Sequence, residues 1–218
     1  MKENKKCVVV LSGGPDSATV AYWAKHQGYQ IYPITFNYGQ IAVKETESAK
    51  KIAAKLDVAT KIINLSALKE IFSNVTSLCN EAIPLTSEFS SPIIVPFRNA
   101  IFLSVAVAYA SAVGAQDIFY GAQGSDEPNY PDCRRDFYEA FEKAAKLGTE
   151  QDITIQAPFN GYKKSELLKE AVKLLVPLEL TWSCYRDAEK HCGKCESCIN
   201  RKKAFQGAGL ADPTKYET

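Results

Sequence analysis

Apolar runs alternate with segments of helical spacing along the first 65 residues of the chain. The run CVVVLS is apolar up to its last residue, which is typical of a strand buried on both faces of a parallel sheet. The segment behind it places Val20, Trp23 and Ala24 at helical spacing. The pattern predicts strands over 7–12, 31–36 and 60–65, and helices over 16–27 and about 41–56. Because strands alternate with helices, we expect an α/β fold, a parallel sheet with helices on both faces.

The second half of the chain continues this alternation but contains two long polar segments. Residues 72–97 include three prolines, and residues 121–132 form a second polar loop. Loops of this length in a compact domain are usually functional or mobile. Arg98 and Asn99 open a helix that is poor in charge on every face, so we expect it to be central. The pattern predicts helices over 100–113, 135–147 and 165–175, and strands over 117–120 and 153–156.

No repeat, low-complexity tract or linker divides the chain before about residue 178. We therefore expect residues 1–178 to form one domain, with residues 179–218 as a C-terminal segment packed on it. No uninterrupted apolar run approaches the ~18 residues of a membrane helix. The apolar run behind the N-terminus ends at Leu11, which is too short for a signal peptide. The sequence thus predicts a cytoplasmic protein without a membrane partner.

Charge and composition narrow the range of partners. Hydrophobic residues make up 46% of the 218 positions and charged residues 23%, close to globular averages. The 26 basic and 25 acidic residues give a net charge of +1. Tight binding to a nucleic-acid backbone usually requires a basic surface, and only the run 201–203 offers a local one. We expect no stable nucleic-acid binding.

The turn between the first predicted strand and helix has the sequence SGGPDS. It lies at the carboxyl end of a parallel strand, where open α/β sheets bind ligands. The unpaired amides of a helix start favour an anion, and Gly13 and Gly14 allow close approach of a phosphate and positive φ. Ser12 and Ser17 offer hydroxyl groups, and Asp16 could help to hold a metal ion that accompanies the phosphates.

Two common phosphate-binding motifs do not match this turn. A Walker A loop requires Lys-Ser/Thr after the glycines, and this chain has none. The dinucleotide-binding fingerprint requires a third glycine, which is also absent from this turn. The simpler alternative is a tight turn with Asp16 or Ser17 as the helix cap. The six residues resemble the SGGxDS signature of the PP-loop (N-type) ATP pyrophosphatases. That resemblance implies activation of a carboxylate or carbonyl as an adenylate, with release of pyrophosphate.

Four of the seven cysteines lie within the segment CYRDAEKHCGKCESC. Without an export signal they do not indicate a disulfide framework. Their spacing favours a tetrahedral structural zinc site, with an iron–sulfur cluster or redox thiols as alternatives. His191 is a conceivable substitute ligand, whereas Cys7, Cys79 and Cys133 are expected to be strand, loop and turn residues. The predicted zinc ligands are Cys184, Cys192, Cys195 and Cys198.

Together the glycine turn and the cysteine cluster resemble the QueC family, the 7-cyano-7-deazaguanine synthases. The matching segments, in order, are LSGGPDS, FNYGQ, VPFRN, GAQGSDEPNYPDCR, APFNGYKKSE, ELTWSCY and CGKCESC. The resemblance implies an adenine nucleotide α-hydrolase-like, Rossmann-like fold with a C-terminal zinc knuckle. It also implies a homodimer that adenylates 7-carboxy-7-deazaguanine, converts it with ammonia to an amide, and dehydrates the amide to the nitrile after a second adenylation.

The same resemblance implies three groups of site residues. The catalytic groups would be Asp16, Arg98 and Lys164. ATP and magnesium would bind at Leu11, Ser12, Gly13, Gly14, Pro15, Asp16, Ser17, Ala18 and Asn99. The base-shaped substrate would lie near Tyr38, Gln40, Asp126, Tyr130, Asp132 and Arg134.

The residue types suit this chemistry. Carboxylates can accept hydrogen bonds from a deazaguanine edge, and tyrosines can stack on its face. Arg98 and Lys164 could stabilise charge on a transferring phosphate, although on sequence alone each is equally a solvated charge at a helix end. For YPDCR, the simpler interpretation is a proline turn with an Asp–Arg pair.

One departure from the family pattern keeps alternatives open. Ile41 and Ala42 follow Gln40, where the family commonly has a basic or histidine pair. A QueC-like enzyme that joins the activated carboxylate to another amine, including one on a protein, is therefore an alternative. A tRNA-modifying PP-loop enzyme and a non-enzymatic nucleotide-binding or zinc module are the others.

Overall fold

The structure is a computed structural model, and it describes residues 5–217. Five strands form one sheet in the order β3-β2-β1-β4-β5, and all neighbouring strands are parallel. The strands are β1 Lys6–Val10, β2 Gln30–Asn37, β3 Lys61–Asn64, β4 Asp117–Phe119 and β5 Thr154–Gln156. The helices are α1 Pro15–His26, α2 Lys44–Lys55, α3 Lys69–Phe72, α4 Arg98–Val113, α5 Arg135–Thr149, α6 Lys164–Lys173 and α7 Glu196–Ala208.

Both faces of the sheet are covered, which confirms the predicted α/β architecture. Along β1 the side chains alternate, so that Val8 packs with α4 and α5 while Cys7 and Val9 face α1, α2, α6 and α7. All three residues are fully buried. This burial explains the continuous apolar run at the start of the chain, because a strand covered on both faces has no solvent-exposed side that would carry polar residues.

The apolar helix α4 packs on the sheet through one face. Leu103, Ala106 and Ala110 are buried, whereas Ser104 and Ala108 are exposed in the single chain, so the expectation of a fully central helix is wrong for this outer face. By length and composition the segment Ser91–Val113 would also suit a membrane span, but 44% of its apolar window is buried inside the protein. That burial is the packing of a core helix.

The predicted elements differ from the observed ones in four places. Helix α2 begins at Lys44 rather than near residue 41, because Ile41 N donates to Leu78 O (2.9 Å) and the chain turns before it enters the helix. The short helix α3 and the helix α7 were not predicted. The long polar segment 72–97 is not a free loop: residues 76–79 are buried, and Ser77 N donates to Pro92 O (2.8 Å).

The C-terminal segment packs on the rest of the protein through α7. Phe205, which is 2% exposed, joins the hydrophobic core formed by α1 and α6. Arg201 is 1% exposed, and its guanidinium donates to Leu178 O (3.0 Å), Thr181 Oγ1 (2.8 Å) and Asp212 Oδ1 (3.3 Å). A buried guanidinium needs such a full set of acceptors, so these bonds fix α7 against the preceding segment and the C-terminal tail. The domain boundary at residue 178 stays a prediction.

Candidate active site

The loops after β1 and β4 meet at the point where the strand order reverses. Strand β1 lies between β2 and β4, so the chain crosses to opposite sides of β1, the arrangement in which α/β sheets bind ligands. The contact is close: a Cβ on Gly121 would lie 2.8 Å from Ser17 N. A cleft opens between these loops, lined by residues of α1, α2, α4 and the loop 121–132.

The glycine turn is packed tightly against α2. Gly13 has φ +91°, as predicted, and a Cβ there would lie 2.2 Å from Glu45 O. Trp182 N also donates to Gly13 O at 2.9 Å. The positive φ of Gly13, which was expected from the sequence, therefore also serves the packing of the turn against α2. Gly14 has φ −76° and lines the cleft.

Helix α1 begins without a side-chain cap. Gly14 is the N-cap residue, and Pro15 has no amide hydrogen to donate. The alternative in which Asp16 or Ser17 caps the helix is wrong, because Ser17 Oγ instead donates to Gly14 O (3.2 Å) and accepts from Ser12 N (3.1 Å). The first amides of α1 thus have no side-chain acceptor, and a helix start in this state favours an anion.

Asp16 and Lys164 form an ion pair at one side of the cleft. Asp16 Oδ2 lies 3.1 Å from Lys164 Nζ, which comes from the first residue of α6. Asp16 Oδ1 is buried and has no hydrogen-bond partner. A buried carboxylate oxygen without a partner is costly, so the site has a vacant acceptor that suits a cation or a donor.

Asp126 extends this charged cluster. Burial raises the pKa of Asp126 to about 6, with Lys164 acting against the shift and Asp16 adding to it. Burial lowers the pKa of Lys164, but the two carboxylates outweigh burial and leave the ammonium pKa above its ordinary value. Lys164 therefore stays positively charged in the cleft at neutral pH.

Arg98 supplies positive charge from the start of α4. Its Nη1 donates to Tyr38 OH at 3.0 Å. Burial lowers the pKa of Arg98, but Tyr38 and Glu45 more than offset this. Glu45, from the first turn of α2, also lines the cleft and was not predicted from the sequence. The signal available was an acidic residue in the first turn of the helix that follows FNYGQ.

Some predicted substrate residues line the cleft and others do not. Tyr38, Asp126 and Tyr130 are part of its wall. Gln40 is turned into its own loop, where its Oε1 accepts from Tyr38 N (2.8 Å) and its Nε2 donates to Phe36 O (3.1 Å). Gln40 therefore stabilises the turn after β2 and lies outside the cleft.

Asp132 and Arg134 are engaged with protein partners. Asp132 Oδ2 accepts from Asn99 N at 2.9 Å, so this carboxylate caps the start of α4 from a distant loop. Arg134 is exposed and its Nε donates to Glu127 O (3.0 Å), outside the cleft. The predicted Asp–Arg pair within YPDCR does not form among the described residues.

The four predicted metal ligands come together in one buried cluster. Their Sγ atoms all lie within 4.8 Å of one another, and those of Cys192 and Cys198 are 3.9 Å apart. A tetrahedral ion with bonds of ~2.3 Å places sulfurs about 3.8 Å apart, so the cluster fits zinc. Backbone amides of Arg186 and Cys192 point at Cys184 Sγ (both 3.4 Å), as expected for a thiolate. Thus the four-cysteine cluster can hold a metal such as zinc.

The other candidate ligands lie outside this cluster. His191 Nε2 accepts from Ser183 N (3.0 Å), and its ring lies 4.1 Å from that of Trp182. Cys7 lies in β1, Cys79 in a loop and Cys133 in a 3-10 turn, as predicted.

The cysteine segment also forms one wall of the cleft, which the sequence did not predict. Tyr185 and Trp182 line it beside Lys164. Tyr185 OH donates to Glu196 Oε2 (2.8 Å), and Glu196 N donates to Thr86 O (2.9 Å). The metal cluster and this wall of the cleft therefore belong to the same segment of the chain.

Comparisons with known proteins give consistent results. A family model described as "Queuosine biosynthesis protein QueC" matches residues 6–209. A 7-cyano-7-deazaguanine synthase from Caldicellulosiruptor saccharolyticus is 43% identical over 97% of this chain and 96% of its own length. One from Oceanobacillus iheyensis is 42% identical over 97% of this chain and 98% of its own.

Among solved structures, the NH3-dependent NAD synthetase of Campylobacter jejuni is similar in fold. It superposes with a TM-score of 0.51 at 17% sequence identity, over 82% of this chain and 68% of that one. At this identity the similarity concerns the fold alone.

Proposed function

Because this chain belongs to the QueC family of queuosine biosynthesis proteins, we propose that it is a 7-cyano-7-deazaguanine synthase. It adenylates 7-carboxy-7-deazaguanine with ATP, converts the adenylate with ammonia to the amide, and dehydrates the amide to the nitrile after a second adenylation. The observation that carries this proposal is the convergence of the uncapped start of α1, the Asp16–Lys164 pair and Arg98 on one cleft.

The glycine turn is the proposed phosphate site. The first amides of α1 and the exposed hydroxyl of Ser12 offer donors to an anion, and the helix dipole favours negative charge there. Leu11, Pro15 and Ala18 are buried beneath the turn and hold its shape without offering polar groups to a ligand.

Positive charge flanks the proposed site of adenyl transfer. Lys164 and Arg98 both line the cleft, held by Asp16 and by Tyr38 OH respectively. Charge that is fixed before the reaction stabilises the negative charge that develops on a transferring phosphoryl group. No protein nucleophile is needed, since the substrate's own carboxylate attacks phosphorus in the first activation.

Magnesium is part of the proposal, and Asp16 would hold it. The unpartnered Oδ1 of Asp16 is an oxygen ligand of the kind Mg²⁺ prefers. Magnesium would supply charge neutralisation at the phosphates.

Zinc is the proposed metal of the four-cysteine cluster. A closed four-thiolate site leaves no position for a substrate, so its contribution would be to folding and to the cleft wall carrying Tyr185.

Substrate recognition is proposed for the cleft residues of the loop 121–132. Asp126 offers carboxylate oxygens to a deazaguanine edge, and Tyr130 and Tyr38 offer ring faces.

A cytoplasmic location is also proposed. None of the seven cysteines forms a disulfide, in keeping with a reducing cytoplasm.

A homodimer is also proposed, with the uncharged outer face of α4 as its contact. Ser104 and Ala108 are exposed there, and no charged residue follows Arg98 along this helix. Light scattering after gel filtration tests this: a mass near twice 24.0 kDa is expected, and a mass of one chain would contradict it.

Product analysis tests the proposed activity. The purified chain is incubated with ATP, MgCl₂, 7-carboxy-7-deazaguanine and ¹⁵N-ammonium, and the products are separated and weighed by mass spectrometry. We expect a nitrile that carries one ¹⁵N, together with AMP and pyrophosphate. No AMP above the level without the base, or AMP formation that depends on tRNA instead, would contradict the proposal. A protein conjugate would favour the alternative amine.

A further inference from the structure

Glu45 is fixed in the cleft by the packing of its own backbone. Its carbonyl oxygen faces the α-carbon of Gly13 so closely that a Cβ there would lie 2.2 Å away. Its side chain lines the cleft together with Gly14 and Arg98. The carboxyl group therefore lies next to the proposed phosphate site, and it comes from an element that the glycine turn itself holds in place.

The other carboxyl groups around the cleft have partners. Asp16 pairs with Lys164, Asp126 accepts from Gln123 Nε2 (2.9 Å), and Asp132 caps the start of α4. Among residues 5–217, no side chain forms a hydrogen bond or an ion pair within 4.0 Å with the Glu45 carboxyl. Glu45 is thus the carboxyl of the cleft that is free to exchange a proton.

The surroundings of Glu45 favour proton exchange near neutral pH. Burial raises the pKa of Glu45 to about 7, and Arg98 acts against this shift. The groups that face it from other elements are Arg98 at the start of α4 and Tyr38 behind β2. A general base works best when its pKa lies near the operating pH.

We propose that Glu45 is the catalytic base that accepts the proton from ammonia when ammonia attacks the adenylated carboxylate. This inference rests on the proposed function, because it assigns a residue to the amide-forming step. That step requires a base, since an attacking ammonia must lose one proton to become a neutral amide.

The amide-forming step conserves atoms and electrons. The nitrogen lone pair forms a bond to the acyl carbon, and the bond from that carbon to the phosphate oxygen breaks. AMP leaves with the electron pair of the broken bond. One N–H proton passes to the ionised Glu45 carboxylate, which becomes neutral and then releases the proton to solvent. No oxidant or reductant is involved.

The experiment separates the two half-reactions in Glu45→Gln. ATP–pyrophosphate exchange that depends on 7-carboxy-7-deazaguanine measures activation without ammonia, and amide formation from ¹⁵N-ammonium measures the second step. We expect exchange within about threefold of the unaltered protein and amide formation lowered by about 10²–10⁴-fold, the usual contribution of a general base. Glu47→Gln is the matched control: Glu47 lies on the same helix, half-exposed and 3.7 Å from Lys44. This control should keep both activities.

Three further measurements distinguish a base from a structural group. At a constant concentration of unprotonated ammonia, the rate of amide formation in the unaltered protein should rise with pH around 7, and this limb should be absent in Glu45→Gln. Hydroxylamine, a stronger nucleophile that is largely unprotonated at neutral pH, should restore much of the lost rate as hydroxamate. Glu45→Asp keeps the carboxyl group but retracts it. Its rate of amide formation should lie between those of the unaltered protein and Glu45→Gln.

Each other outcome overturns the inference. Unchanged amide formation in Glu45→Gln would remove Glu45 from the step. Equal losses of exchange and amide formation, or a shifted Mg²⁺ requirement, would assign Glu45 to nucleotide or metal binding. If the unaltered protein shows no exchange that depends on the base, the proposed function fails instead.

Discussion

The cysteine cluster and the glycine turn are both compact polar sites, but they differ in whether their polar groups have partners within the protein. In the cluster four thiols converge, and backbone amides already point at Cys184 and Cys192. At the turn, the start of α1 has no side-chain cap and Asp16 Oδ1 has no partner. A closed set of four thiols therefore indicates a structural metal site, whereas buried groups without partners at a cleft indicate where a substrate or nucleotide binds.

Removal of one thiol from the cysteine cluster should have the largest effect on metal content and on stability. Cys195→Ser should reduce metal content from about one zinc per chain to none, and lower the free energy of unfolding by up to ~10 kcal/mol. Metal analysis and thermal unfolding measure the two effects. Cys7→Ala, a buried cysteine outside the cluster, should keep the zinc. A Cys195→Ser protein that keeps zinc, or an iron chromophore in the unaltered protein, would contradict the assignment.

A change at the open site should affect turnover and leave stability nearly unchanged. Asp16→Asn should lower the rate of pyrophosphate release at least ~100-fold, since it removes the carboxylate that is proposed to hold the magnesium ion at the phosphates. The unfolding midpoint should barely move, because Asp126 remains as a partner for Lys164. Asp136→Asn is the control, an exposed acidic residue in the first turn of α5. A fully active Asp16→Asn protein would exclude Asp16 from the site.

The packing of Gly13 against α2 predicts a smaller loss of stability when Gly13 is replaced by alanine. Gly28 serves as the control for this loss. Gly13 (φ +91°) and Gly28 (φ +84°) both have positive φ, so alanine at either costs about 1–2 kcal/mol of strain. A Cβ meets Glu45 O at 2.2 Å only in the first, and nothing within 4 Å in the second. Urea unfolding should therefore show a further loss of about 1–3 kcal/mol for Gly13→Ala. Equal losses would mean that α2 does not pack against the turn.

The smallest predicted effect concerns pH and Asp126. Burial is the main cause that raises the pKa of Asp126 to about 6 in the folded protein, from its ordinary value of 3.8. The folded state therefore binds this proton more tightly than the unfolded state, and its stability falls as pH rises through that window. Asp126→Asn removes this cost, so its melting temperature should exceed that of the unaltered protein at pH 7, by about 2–4 °C for each kcal/mol of the cost, and match it near pH 4. A lower melting temperature at pH 7 would show that Asp126 stabilises the fold as a charge.

The sequence predicted best what is local in the chain. The strand, turn and helix around SGGPDS and the four cysteines are each set by neighbouring residues, and the structure agrees on their positions. The helix α7 was missed because its residues were assigned to the knuckle, although Gly209, with φ +70°, ends it in the usual way.

The site was less predictable because distant elements build it. Glu45 enters the cleft through the contact between α2 and Gly13, and Tyr185 through the packing of the cysteine segment. Asp132 and Gln40 carry the residue types expected of a binding site, yet their polar groups are used by Asn99 and by the turn after β2. Such partners depend on the tertiary fold and cannot be derived from residue type or spacing.

A crystal structure with a non-hydrolysable ATP analogue and Mg²⁺ would show directly whether the start of α1 binds the phosphates. We expect the phosphates to lie against the amides of Gly13, Gly14, Asp16 and Ser17, with a metal ion at Asp16 Oδ1 and the ammonium of Lys164 beside them. Nucleotide bound elsewhere, with these amides facing solvent, would contradict it.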